Sequence, residues 1–213
     1  MITLEVILLV IVSYLTGSFP SAVWLGRAFY DTDVREYGSG NAGATNTFRV
    51  LGKRAGIPVL FMDIFKGWLA VYYVWFLEDA SLLYLSNPEL FFESQLAFGI
   101  AAVIGHLFPV FTGFRGGKGI ATMLGILIGL VPYAALFSFC IFIIVVIISR
   151  YISFASIVAS LVFPLFVILV LKSTNDSLVL FAIFVPVLSL ITHQKNIERL
   201  IRGEETKITF GKK

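Results

Sequence analysis

One cysteine, Cys140, sits inside an apolar run, so this chain can build neither an intrachain disulfide nor a cysteine-based metal site. There are only two histidines, and neither an H-E-x-x-H pattern nor a cluster of His with carboxylates offers a metal its ligands. No G-x-S-x-G turn occurs. Ser39 and His193 lack an obvious third member, because the acids near Ser39 are Asp33 and Glu36 in its own loop, so acyl-serine chemistry is not demanded. Charge is scarce too, at 14% of residues against roughly 25% in an ordinary soluble chain. The net charge of +3 is broken up by apolar runs, which excludes the continuous basic face of a nucleic-acid binder.

What fills the chain instead is hydrocarbon. Apolar residues make up 58% of it, in windows too long and too poor in charge for a soluble fold, so it reads as an all-α integral membrane protein. Residues 6–26 and 96–114 carry no Asp, Glu, Lys or Arg, and 55–77 carry only Asp63 and Lys66. Residues 151–171 and 178–192 supply two more runs. Residues 119–149 form a 31-residue charge-free stretch, about 46 Å as one helix against a hydrocarbon core of about 30 Å.

Charge decides how often that stretch crosses. The segment 27–54 carries Arg27, Arg35, Arg49, Lys53 and Arg54, whereas 78–95 carries four acids and no Lys or Arg. The positive-inside rule places the first in the cytoplasm and the second outside. Arg115, Lys118 and the basic tail after His193 return to the inside, so an even number of crossings separates them. A hairpin around Pro132, a residue without an N–H that disfavours helix before it, makes that number even. The expectation is one polytopic domain, 1–213, a seven-span transmembrane helical bundle with its N-terminus outside and its C-terminus cytoplasmic. The spans fall at 4–26, 55–77, 96–114, 119–131, 133–149, 151–171 and 177–192, with cytoplasmic loops at 27–54, 115–118 and 193–205. The first five residues hold no basic group, which favours an anchored first span over a removable export signal.

The remaining polar residues collect in three of these cytoplasmic pieces. Residues 38–49, GSGNAGATNTFR, hold three glycines, two asparagines and an arginine. Gly and Asn tolerate positive φ, so the run favours an anion-holding nest over a flexible loop. Residues 113–119, GFRGGKG, pass straight into an apolar helix, and free N–H groups at a helix start suit a phosphate, with Lys118 as counter-charge. This is not the nucleotide P-loop: Thr112 replaces its first Gly, and Gly119 its Ser or Thr. In the third piece His193, Asn196, Arg199 and Arg202 recur every three residues, one face of an amphipathic helix that by itself suits a membrane-surface anchor. Asp63 and Lys66 share a helix face and read as a polar brace beneath the site, with a transport relay as the rival. His106 reads as a hydrogen-bonded helix contact about eight residues inside its span.

Taken together, GSGNAGATNTFR, GHLFPVFTGFRGGKGIAT (105–122) and HQKNIERLIRGEE (193–205) resemble the bacterial acyl-phosphate-dependent glycerol-3-phosphate acyltransferase family, in order and spacing along nearly the whole chain. The resemblance implies a seven-span fold in the bacterial inner membrane, with its motifs facing the cytoplasm. It implies transfer of a fatty acyl group from acyl phosphate to the 1-hydroxyl of glycerol 3-phosphate, without metal, nucleotide or other cofactor. By position it implies that Ser39, His193 and Asn196 are catalytic. Asn41, Arg49, Arg115, Gly116, Gly117, Lys118 and Gly119 bind substrate phosphates, and Glu204 is structural. The implied partners are glycerol 3-phosphate, acyl phosphate and membrane lipid; a complex with the enzyme that makes acyl phosphate is not legible. A carrier for organic phosphates is the alternative, but its polar groups should continue across the bilayer, and here they thin out beyond Asp63, Lys66 and His106.

Overall fold

The computed structural model describes residues 3–208. Lys212 and Lys213, counted above toward the cytoplasmic tail, lie outside the described residues. Those residues form helices and turns without a strand. They pack as two compact units, Met1–Leu130 and Val131–Lys213, where the sequence suggests one undivided bundle. The division falls within the long charge-free stretch. Helix stops at Leu130, Val131 leaves the helical region at φ −142° and ψ 69°, and a new helix starts with Pro132 as its first residue.

In the first unit, α1 (Leu4–Gly17) and α2 (Ser21–Tyr30) form a pair bent by 42°, with Pro20 between them. α3 (Ala44–Leu51) is separated from α4 (Lys53–Tyr72) only by Gly52 at φ 79°. α5 (Ala80–Ser86) is short. α6 (Pro88–Leu107) starts eight residues before the expected span, because Asn87 caps it by accepting the Leu90 N–H at 3.1 Å and Pro88 occupies its first turn. It also stops early. Phe108 precedes Pro109, which disfavours helix there, so α6 ends and 110–112 continue as a 3₁₀ turn. His106 therefore lies in the last turn of α6, not eight residues inside. α7 (Ile120–Leu130) completes the unit.

The helices of this unit approach to backbone distance. A Cβ at Gly67 of α4 would stand 2.0 Å from the Thr122 carbonyl oxygen, and one at Gly125 of α7 would stand 1.9 Å from that of Ile64. In hydrocarbon no hydrophobic drive presses helices together, so close van der Waals packing at small residues has to do it.

The second unit contains α8 (Pro132–Ser149), α9 (Ile152–Leu165), α10 (Asp176–Thr192) and α11 (Gln194–Ile201). Arg150, left-handed at φ 63°, turns α8 into α9. α9 carries Pro164 and runs on as a π-helical turn, Phe166–Val170, whose Phe166 ring stacks on Phe137 at 4.3 Å. Asn175 caps α10 by accepting the Leu178 N–H at 2.8 Å. α11 then bends 64° away from α10.

By length and composition four helical stretches can cross a membrane: Lys53–Phe76, Pro88–Thr112, Pro132–Ser149 and Ile152–Val170. Counting each bent pair as one span raises this to six, and α7 is a shorter apolar helix. Large apolar side chains such as Leu8, Phe61, Ile148 and Leu180 stand exposed around these helices, as a hydrocarbon solvent requires. Gly125→Leu, which must push α7 from α4, is expected to cost about 1–3 kcal/mol. It should lower the unfolding midpoint in detergent, while Phe61→Leu on the exposed side of α4 leaves it unchanged.

Candidate active site

Within the first unit the glycine-rich stretch 38–49 folds back on itself around one side chain. Asn46, 1% exposed, accepts the Ser39 N–H at 2.8 Å and donates to the carbonyls of Val34 at 2.7 Å and Tyr37 at 3.1 Å. Gly38 and Gly40 take φ of 62° and 71°, which only glycine adopts freely, and a Cβ on Gly38 would collide with Asn46 Oδ1. The loop thus presents an exposed Ser39 and a half-buried Asn41, and Arg49 stands exposed on α3. Spacing did not single out Asn46. Its signal was only an Asn eight residues after the first loop glycine, and the bonds it makes are not visible in a one-dimensional pattern.

Arg35 ties this loop to the second motif. Its guanidinium grips Asp33, at 2.7 Å from Nη2 to Oδ2, and its Nη1 donates to the Thr112 carbonyl at 2.9 Å. Arg27 adds a second pairing to Asp33 at 2.9 Å. Hydrogen bonds from Arg35 hold the Asp33 carboxyl well below the usual carboxylate range, and the same pair pushes the Arg35 guanidinium up. The sequence reading used Arg27 and Arg35 only to orient the chain. In the structure Arg35 also joins the two motif loops.

The second motif leaves α6 at Phe108 and turns through Gly113 and Phe114, at φ 66° and 60°. The Phe114 N–H donates to the Pro109 carbonyl at 2.9 Å, and the Gly117 N–H to that of His106 at 3.1 Å. Arg115 is exposed, Lys118 half-buried, and Gly119, at φ 80°, leads into α7 at Ile120. The first N–H groups of α7 therefore open directly at this loop, with the positive end of its dipole. Arg115, Gly116, Gly117, Lys118 and Gly119 thus form one turn, on the same unit as Ser39, Asn41 and Arg49.

Beneath these loops lies a buried polar cluster. Asp63 Oδ1 pairs with Lys66 Nζ at 2.8 Å, accepts from Ser21 Oγ at 2.5 Å and stands 3.6 Å from His106 Nδ1. Lys66 also donates to the Phe19 carbonyl at 3.1 Å, at the α1–α2 bend. Asp63 and Lys66 do pair, as their spacing suggested; the spacing did not show that His106 and Ser21 join them.

In the second unit His193 caps the end of α10, and its Nδ1 lies 2.8 Å from the Ser189 carbonyl oxygen. A carbonyl only accepts, so Nδ1 carries a proton. Asn196, one turn on, is 6% exposed and donates from Nδ2 to Glu205 Oε1 at 2.9 Å. Glu205 also accepts from Ser153 Oγ at 3.0 Å and from Arg199 Nε at 2.8 Å. The structural acid of this motif is therefore Glu205, not Glu204, whose side chain is exposed. Arg202 does not extend the functional face; it pairs with Glu198 at 2.6 Å at the surface. Burial opposes the charge on Glu205, but its bonds from Arg199, Asn196 and Ser153 outweigh burial and hold the carboxyl below its ordinary value. Among the described residues no group of His, Cys, Asp and Glu could hold a metal ion.

The match to known proteins is extensive. The family model described as "Glycerol-3-phosphate acyltransferase" matches residues 7–203. A glycerol-3-phosphate acyltransferase of Enterococcus faecalis is 40% identical over 215 residues, covering 98% of this chain and 94% of that protein. One of Staphylococcus aureus is 40% identical over 207 residues, covering 96% and 98%. Two solved structures of PlsY, an integral membrane glycerol 3-phosphate acyltransferase, also match. Its glycerol 3-phosphate form gives a TM-score of 0.83 at 36% identity, covering 96% of both chains. Its lysophosphatidic acid form gives 0.80 at 35%, covering 96% of this chain and 95% of that one.

A depressed folded pKa means that Glu205 stabilises fully at neutral pH and loses that contribution as pH falls below the ordinary glutamate value of about 4.3. Glu205→Gln is expected to cost about 1–3 kcal/mol at pH 7 through its weakened charged hydrogen bonds. Unfolding midpoints at pH 7 and pH 4 should show the gap between variant and wild type shrinking in acid.

Proposed function

We propose, from the premise that this chain belongs to the glycerol-3-phosphate acyltransferase family, that it moves a fatty acyl group from acyl phosphate to the 1-hydroxyl of glycerol 3-phosphate. It is a membrane acyltransferase, and its products are lysophosphatidate and inorganic phosphate, which makes it an enzyme of phospholipid synthesis. The hydroxyl oxygen attacks the acyl carbonyl carbon, the bond from that carbon to the phosphate oxygen breaks, and the hydroxyl proton leaves. The observation that supports this reading best is the joining of two glycine-rich cationic turns through Arg35 on one unit. Two anionic reactants call for such a pair of turns.

Arg49, Arg115, Lys118 and the turn built by Gly116, Gly117 and Gly119 hold substrate phosphates in this proposal, the Gly117 N–H itself being taken by the His106 carbonyl, with Ser39 and Asn41 adding hydrogen bonds. Cations and N–H donors also offset the charge that grows on the carbonyl oxygen, the kind of contact whose removal typically costs 10²–10³ in rate. The leaving group is already a phosphate, so no strong acid is needed. Asn196, its Nδ2 fixed by Glu205, and His193, its tautomer fixed by Ser189, complete the catalytic set. The proton has two acceptors of suitable basicity, Nε2 of His193 and a phosphate oxygen of a substrate.

The proposed topology has seven crossings, the six spans available by length together with the short α7. The N-terminus lies outside, and loops 27–54, 115–118 and 193–205 lie in the cytoplasm of a bacterium with this protein in its inner membrane. The basic residues of those loops and the acids of 78–95 support this orientation.

Purified protein mixed with palmitoyl phosphate and glycerol 3-phosphate is expected to release inorganic phosphate only when both are present. Lys118→Ala and Arg49→Ala should each lower kcat/KM about 10²-fold or more while the protein stays monodisperse. Transport of labelled glycerol 3-phosphate into vesicles without acylation would instead establish the carrier. A pH–rate profile of His193→Gln against wild type assigns the proton: loss of the acid limb makes His193 the base, and an unchanged limb gives that role to a substrate phosphate.

A further inference from the structure

Gly116 and Gly117 pose a question that their place in a phosphate loop does not answer. Neither lies at positive φ, unlike Gly113 and Gly119 on either side, so their backbone would accept an ordinary L-residue. What forbids a side chain at Gly117 is the His106 ring, and at Gly116 the His106 carbonyl together with Leu107 and Pro109. A Cβ on Gly117 would stand 2.1 Å from His106 Nε2, and one on Gly116 would stand 2.0 Å from the His106 carbonyl oxygen, the same oxygen that accepts the Gly117 N–H at 3.1 Å. The loop rests on the end of α6, Gly117 against the His106 ring and Gly116 against the carbonyls of His106 and Leu107 and the Pro109 ring.

Below the ring lies a fixed carboxylate, beyond hydrogen-bond distance. The ring Nδ1 faces Asp63 Oδ1 at 3.6 Å, and Asp63 is fixed by Lys66 at 2.8 Å and by the Ser21 hydroxyl. Lys66 reaches the Phe19 carbonyl at 3.1 Å. Asp63, Lys66 and His106 are each 6% exposed or less. Charged groups within a membrane bundle are costly to insert. An apolar side chain would fill the same space at lower cost. It would give the ring no polar group to face, whereas a carboxylate locked by an ammonium and a hydroxyl stands 3.6 Å from Nδ1.

We propose that His106 is a positioning residue of the phosphate loop. Its imidazole, set in place by Asp63 and Lys66, is the floor that fixes the height of Gly116–Gly117 and hence the aim of the N–H groups and of Lys118. The inference rests on the reading of 113–119 as a phosphate-binding turn. His106 touches no substrate; it acts through Gly117.

A double-mutant cycle between Gly117→Ala and His106→Ala tests it, with KM and kcat measured for both substrates and Lys118→Gln run alongside. Lys118→Gln identifies the substrate whose phosphate the loop holds, by a rise in that KM. Gly117→Ala is expected to raise the same KM at least tenfold while changing kcat less than threefold. Removing the ring in the Gly117→Ala background should undo most of the added methyl's effect, leaving the double variant no worse than the worse single one. If the two KM effects multiply instead, glycine and ring act independently and the inference is overturned. If Lys118→Gln moves neither KM, the phosphate-loop reading itself fails, whatever the cycle shows. Should His106→Ala not accumulate, His106→Asn, which has no atom at the Nε2 position, takes its place with the same non-additivity expected.

Discussion

Hydrocarbon gives a non-helical backbone nothing to bond to, so wherever this chain leaves a helix near the membrane, the protein has to supply the missing partners itself. Each motif turn does so with one buried polar residue. Asn46 collects an N–H and two carbonyls of the first loop, and the His106 carbonyl takes an N–H of the second. Glu205 gathers the side chains of Ser153, Asn196 and Arg199 in the third. None of the three pins is an exposed charge. The groups expected to meet anionic reactants, such as Ser39, Arg49 and Arg115, stand exposed on turns whose shape is already fixed. Such preorganisation lets binding energy go into holding charge rather than ordering the chain.

Glycine serves two purposes in this architecture. At Gly38, Gly40, Gly113 and Gly119 it supplies a backbone conformation, and at Gly67 and Gly125 it supplies thinness, bringing α4 and α7 into backbone contact. Gly116 and Gly117 belong with the second group although they sit in a loop, since what they yield to is a neighbouring residue rather than a torsion angle. Composition alone cannot tell these uses apart. A glycine-rich string looks the same whether it makes a nest or makes room.

Much of the frame was legible in the sequence because apolar length and loop charge are properties of contiguous residues. The helix break beside Pro132, the start of α7 after Gly119 and the pairing of Asp63 with Lys66 all follow from neighbours in the chain. The early end of α6 was legible too, since Pro109 disfavours helix at Phe108, but the apolar stretch runs on to Thr112 and hides that His106 stands in the last turn of α6. What could not be read were bonds between distant residues. Arg35 meets Thr112 across 77 positions, and Ser153 meets Glu205 across 52. The choice between Glu204 and Glu205 turned on which side of an irregular tail faces Asn196, which has no periodicity to reveal it. Division into two packed units leaves no trace in composition at all.

Asp33 has a consequence for how a dianion finds this protein. By clasping Arg27 and Arg35 together it cancels much of their outward field, while both arginines still count toward membrane orientation, because translocation responds to Lys and Arg with little regard for nearby acids. Orientation and capture are thereby separated. The loop stays strongly basic in composition, yet the attraction felt from water comes from fewer cations close to the turns, over a screening distance of about 8 Å at physiological ionic strength. An anion in water therefore meets a weaker field than the loop's count of basic residues implies, until it is close to the turns.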